Sequence, residues 1–95
     1  MVDRAADVRW TVYFSGHVQG VGFRYTTQRA ARGFEVTGYV RNLPDGRVEL
    51  VAEGQNGEIE RFIQAVETQM GGHVHERKAA TSPVTGKFEG FQVRH

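Results

Sequence analysis

The sequence contains no cysteine. That excludes disulfides, cysteine-ligated zinc and a thiolate nucleophile, and it fits a reducing, cytoplasmic compartment. No apolar run approaches the length of a membrane span, so no membrane association is expected. The first residues carry charge but no apolar stretch of the kind a secretory leader needs. Residues 1–7 therefore read as a flexible N-terminal tail ahead of one domain over residues 8–95. At 95 residues the chain can bury one small core and little more. A formal net charge of +1 lacks the cationic excess of a nucleic-acid binder, and the chain is read as a monomer without a nucleic-acid partner. One further absence is local. From Val8 to Phe34 there is no Asp or Glu, whereas Arg9, Arg24, Arg29 and Arg32 all fall there. A basic first third favours an anionic ligand, although a chance cluster of surface arginines would give the same composition.

What is present is glycine, concentrated in Gly16-His17-Val18-Gln19-Gly20-Val21-Gly22-Phe23-Arg24. Glycine tolerates positive φ and lets another group approach the backbone closely. A glycine-rich turn that feeds a helix gathers unpaired N–H groups pointing one way, which makes an anion cradle. Arg24 falls in the first turn of the helix that follows, where the macrodipole disfavours a cation by about 0.3–1 kcal/mol. An arginine set against the dipole is explained if an anion lies between it and the amides. The stretch His17, Val18, Gln19, Gly20, Val21, Gly22, Phe23 and Arg24 is read as a phosphate site.

The surrounding pattern supplies a frame. Val8 to Ser15 alternates, with Val8, Trp10, Val12 and Phe14 on one face, and reads as a half-buried strand. Phe23, Thr27, Ala30, Ala31 and Phe34 fall at helical spacing, with Gly33 as the C-terminal stop. Val36 to Asn42 and Val48 to Gly54 alternate around Leu43-Pro44-Asp45-Gly46, whose turn chemistry makes them a hairpin. Asn56 is expected to cap a second helix with the stripe Ile59, Phe62, Ile63, Val66 and Met70, ended by Gly71-Gly72. A strand over His73 to Thr81, poor in alternation, and a short last strand over Phe88 to Arg94 complete the chain. The order β-α-β-β-α-β plus a terminal strand is the split βαβ, ferredoxin-like plan of an α+β fold, with two helices on one face of an antiparallel sheet. In that plan the first two strands run parallel with the third between them. The glycine loop and Asn42 then leave the sheet at the same edge and face one pocket.

The loop's chemistry is limited. It lacks the Lys-Ser/Thr of a Walker A loop and the third glycine of a dinucleotide fingerprint. The spacing from His17-Val18 to Arg24 is that of the His-Cys…Arg loop of cysteine phosphatases, but Val18 stands where the nucleophile would be. Water must then attack. Asn42 is the best candidate to orient it, since an amide side chain both donates and accepts, but Asn42 is not a base. Without an acid or a base the leaving group must depart unaided. A carboxylate, with a conjugate-acid pKa of about 4, can do so where an alkoxide cannot. This argues for a mixed carboxylic–phosphoric anhydride, cleaved by positioning and electrostatics. His17 is either an anion contact or an exposed loop residue; Gln19 and Tyr25 either touch substrate or pack. His73 and His75 have no third ligand nearby and read as surface residues, so no metal and no cofactor is expected.

At these residues the sequence resembles the acylphosphatases. The resemblance runs through Gly16 to Arg24, then Gly38-Tyr39-Val40-Arg41-Asn42 and Asp45-Gly46-Arg47-Val48-Glu49, and more weakly to Gly90-Phe91-Gln92-Val93; residues 73–87 depart most from it. It implies a ferredoxin-like fold and metal-independent hydrolysis of small-molecule acyl phosphates, with inorganic phosphate, or sulfate in its place, as a product-like ligand. It assigns phosphate binding to Arg24 and the loop amides, and water positioning to Asn42. Two other readings stand beside it. One is an RNA-binding module of the same topology, against which the third strand, without aromatics and with Glu49 and Glu53, argues. The other is a catalytically silent anion-binding domain, like the acylphosphatase-like segment of larger carbamoyl-transferring maturation proteins.

Overall fold

A computed structural model describes residues 7–95. The tail expected over residues 1–7 lies outside the described residues except for Asp7, which opens the first strand. The elements are β1 (Asp7–Gly16), α1 (Phe23–Ala31), β2 (Thr37–Asn42), β3 (Val48–Gln55), α2 (Asn56–Met70), a 3-10 turn (Gly71–His73), β4 (Val74–Pro83) and β5 (Phe91–Arg94). The sheet order is β4-β1-β3-β2-β5. β1 and β2 each pair antiparallel with β3 and so run parallel to one another. β5 joins the edge of β2 in parallel, which makes the sheet mixed rather than antiparallel throughout.

The alternation of β1 and β3 fixes which face is covered. Val12 lies opposite Leu50 and Phe14 opposite Val48, and all four are fully buried. Against that face α2 lays Ile59, Phe62, Ile63, Val66 and Met70, and α1 lays Phe23, Thr27 and Ala31. Fully burying one such large side chain is worth about 1.5–3 kcal/mol, so these two stripes hold the helices on the sheet.

Four local features differ from the reading of the sequence. Asn56 does not cap α2; it is the first helical residue, and its Oδ1 accepts from Trp10 Nε1 at 2.8 Å. Gly33 is no left-handed stop, because α1 ends at Ala31 and tight turns carry the chain to Phe34. β4 runs on to Pro83. It is an edge strand exposed along almost its whole length, so its Glu76, Arg77 and Lys78 serve to discourage further strand pairing and leave no alternation to detect. β5 begins only at Phe91, since Phe88 instead lies 5.7 Å from the Tyr39 ring on the sheet face away from the helices.

That second face explains why β3 is buried on both sides. Glu49 accepts from Tyr39 OH at 3.0 Å and from Arg41 Nε at 2.7 Å. Glu53 accepts from the Thr85 amide at 3.0 Å, the Thr85 hydroxyl at 2.8 Å and the Gly86 amide at 2.9 Å. The connection between β4 and β5 is thereby tied down across the sheet.

Candidate active site

The loop from β1 to α1 is held by its side chains and presents its backbone. Val18 is fully buried, and Phe23 is buried with its ring 5.0 Å from Phe14. Between them Gly20 and Gly22 take left-handed φ of 78° and 79°, where a side chain would be strained. Gly22 is the N-cap of α1 and offers no side chain to the first-turn amides, nor does that turn contain an acid. The first helical bond, from Thr26 N to Gly22 O at 2.9 Å, leaves the amides of Phe23, Arg24 and Tyr25 without an intrahelical acceptor. Three donors and a helix dipole thus point out of α1 toward the loop.

At the neighbouring strand end, the turn after β2 closes as its residue types require. Gly46 N bonds to Leu43 O at 3.1 Å with Gly46 at φ 94°, and Asp45 Oδ1 accepts from Arg47 N at 3.1 Å. Gln19 joins loop and turn: its Nε2 donates to Leu43 O at 2.8 Å and to Arg47 O at 2.9 Å.

These constraints bring Arg24 and Asn42 to one cavity of about 210 Å³, lined by Val18, Gly20, Gly22, Phe23, Arg24, Tyr25 and Asn42. The Oδ1 of Asn42 is buried and accepts no hydrogen bond from any described residue. A buried acceptor left without a protein donor costs about 1–3 kcal/mol, so its position calls for an explanation. Arg24 is held from the side by His95, whose Nδ1 lies 3.0 Å from Nη1. Because a guanidinium only donates, Nδ1 is the acceptor and carries no proton in this contact.

The remaining residues of the expected phosphate site sit elsewhere. His17, Gln19 and Val21 do not line the cavity. The His17 amide donates to His73 O at 2.9 Å, and its ring packs at a tilt against His75 with centroids 5.4 Å apart, so His17 anchors the loop to the start of β4. Gly16 makes that approach possible: a Cβ there would stand 2.6 Å from His73 O. Among the described residues no group of three or more His, Asp or Glu side chains is arranged to hold a metal ion. Sequence reasoning missed His95 altogether, since nothing local marks a partner 71 positions from Arg24.

With loop, cavity and paired residues in place, comparison with known proteins is decisive. The acylphosphatase family model matches residues 10–93. The chain belongs to the acylphosphatase family. An acylphosphatase of Archaeoglobus fulgidus is 53% identical over 57 residues, 60% of this chain and 64% of the relative. One of Nocardia farcinica is 40% identical over 94 residues, covering 97% of this chain and 94% of its own. The crystal structure of an acylphosphatase from Bacillus subtilis superposes with a TM-score of 0.83 at 32% identity, over 93% of this chain and 99% of that one. The chain is thus an acylphosphatase, a hydrolase of the carboxyl–phosphate bond of acyl phosphates.

Proposed function

We propose that Arg24 and the backbone amides at the start of α1 bind the phosphoryl group of an acyl phosphate, and that Asn42 orients the attacking water. The observation that carries this reading is the Oδ1 of Asn42, a buried acceptor with no protein donor, on a residue that lines one cavity with Gly22, Phe23, Arg24 and Tyr25. A water donating to Oδ1 would satisfy the acceptor and be aimed at a phosphorus held by the amides. Attack forms the new P–O bond while the bond to the acyl oxygen breaks, and the carboxylate departs with that bonding pair. The protons of the water end on phosphate and solvent. Arg24 and the amides face the equatorial oxygens, where charge is spread in the transition state, so rate comes from positioning and electrostatics. No general acid is needed, because the leaving group is already a weak base.

The partner is a small-molecule acyl phosphate, and inorganic phosphate is the product ligand. We place the protein in the cytoplasm as a monomer without a nucleic-acid partner. The absence of cysteine and the net charge of +1 support this, as does a sheet face already covered by the Tyr39–Glu49–Arg41 network and the tied-down connection after β4. No helix among the described residues is long and apolar enough to cross a membrane.

Hydrolysis of benzoyl phosphate in ¹⁸O-labelled water tests the reaction. The label is expected in phosphate rather than benzoate, with a phosphate monoester untouched and a chelator without effect. Label in benzoate would put the attack at carbon and contradict the role given to Asn42. Activity abolished by the chelator and restored by a divalent ion would contradict metal independence.

A further inference from the structure

The residues assigned above read the phosphoryl group, and none of them reads the acyl group. Among the described residues three large hydrophobic side chains are exposed: Tyr25 at 57%, Val84 at 44% and Val21 at 39%. One of the three, Tyr25, lines this cavity, and a second, Val21, is in the loop beside it without lining it, between Gly20 and Gly22, which both do. Packing accounts for neither. The buried face of α1 is Phe23, Thr27 and Ala31, and neither Tyr25 nor Val21 belongs to the core or packs against it. Tyrosine is also a poorer helix former than alanine or leucine, so helix stability gives no reason for it there. Beyond Arg24, which the phosphoryl group occupies, no charged side chain lines the cavity. A charged acyl group would find no partner at this mouth, whereas an apolar one would cover exposed apolar surface.

We propose that Tyr25 and Val21 form the acyl-reading rim of the site and select acyl phosphates with an uncharged, apolar acyl group, aromatic ones above all. A planar ring can stack on the Tyr25 phenol, and such a pair is worth roughly 3- to 10-fold in affinity. This inference rests on the acylphosphatase reading of the site. Its test compares benzoyl phosphate with acetyl phosphate for the wild-type chain, Tyr25→Ala, Tyr25→Phe and Val21→Ala, with inorganic phosphate as competitive inhibitor. Tyr25→Ala is expected to lower kcat/KM for benzoyl phosphate by roughly 3- to 10-fold, mainly through KM. The loss on acetyl phosphate and on inhibition by phosphate, which share the Tyr25 amide, should be smaller, so that the benzoyl-to-acetyl ratio of kcat/KM falls. Tyr25→Phe should keep the preference, and Val21→Ala should weaken it less than Tyr25→Ala. Equal losses on both substrates, or none on either, would overturn the rim while leaving the reaction intact. A wild-type chain that hydrolyses neither substrate would overturn the reaction itself and the rim with it.

Discussion

Gln19 shows how a single side chain away from the chemistry can set its geometry. Its amide ties the β1–α1 loop to the turn that follows Asn42, through two carbonyls that each keep a backbone donor: Gly46 N for Leu43 and Leu43 N for Arg47. Removing it leaves neither carbonyl orphaned, so Gln19→Ala should cost only about 1–2 kcal/mol of stability by urea unfolding. Activity should fall further, by about 10- to 10²-fold in kcat on benzoyl phosphate, because loop and Asn42 are no longer held in register. Losses of stability and activity in equal proportion would show that Gln19 is only structural. At this scale the sequence was legible where partners are local. Arg24 and the glycines lie within one short motif, and the turn chemistry around Asp45 declares itself. Gln19 and His95 act on residues far away in the chain, and only the fold reveals what they touch.

Elements with one buried stripe were readable for the same reason: α2 repeats Ile59, Phe62, Ile63, Val66 and Met70 at the helical period and buries all five. β4 was hard to read because an exposed edge strand has no side to alternate with, and the start of β5 because Phe88 serves the outer face and not the ladder. β2 carries the sharpest constraint on the sheet. At Gly38 φ is 143°, and a Cβ would stand 1.9 Å from the Val51 carbonyl oxygen in the adjoining strand. The backbone cannot yield without breaking the β2–β3 ladder, so Gly38→Ala should lose about 3 kcal/mol or more in denaturant unfolding. Since Asn42 ends the same strand, the variant's residual activity should fall as well. A Gly38→Ala protein of native stability would show that β2 lies farther from β3 than described.

The whole molecule is closed by a carboxylate that reads in the sequence as an ordinary strand acid. Glu53 is 3% exposed. Burial by itself would raise its pKa, but the Thr85 amide and hydroxyl, the Gly86 amide and the charge of Arg9 outweigh it and hold the carboxyl below its ordinary value. The sign follows by linkage. A depressed folded value contributes stability above the unfolded pKa of about 4.3, and that stability is lost as pH falls through the folded value. Stability should therefore decline below roughly pH 4.3, and Glu53→Gln should be less stable at pH 7 with a flatter acid limb. An unchanged acid limb in Glu53→Gln would assign that decline to other carboxylates. Nothing in the period-two pattern of β3 distinguishes an acid facing solvent from one covered by a distant connection, so the burial of Glu49 and Glu53 is not legible in the sequence.

The central claim divides the chemistry between two residues that the topology brings together: Arg24 binds the phosphoryl group and Asn42 aims the water. Steady-state hydrolysis of benzoyl phosphate by Arg24→Ala and Asn42→Ala tests it most directly. Arg24→Ala should raise KM and lower kcat. Asn42→Ala should keep KM close to wild type and lose on the order of 10²-fold in kcat, the size of one lost oxyanion-type contact. An Asn42→Ala enzyme with native kcat, or one impaired only in KM, would contradict the account.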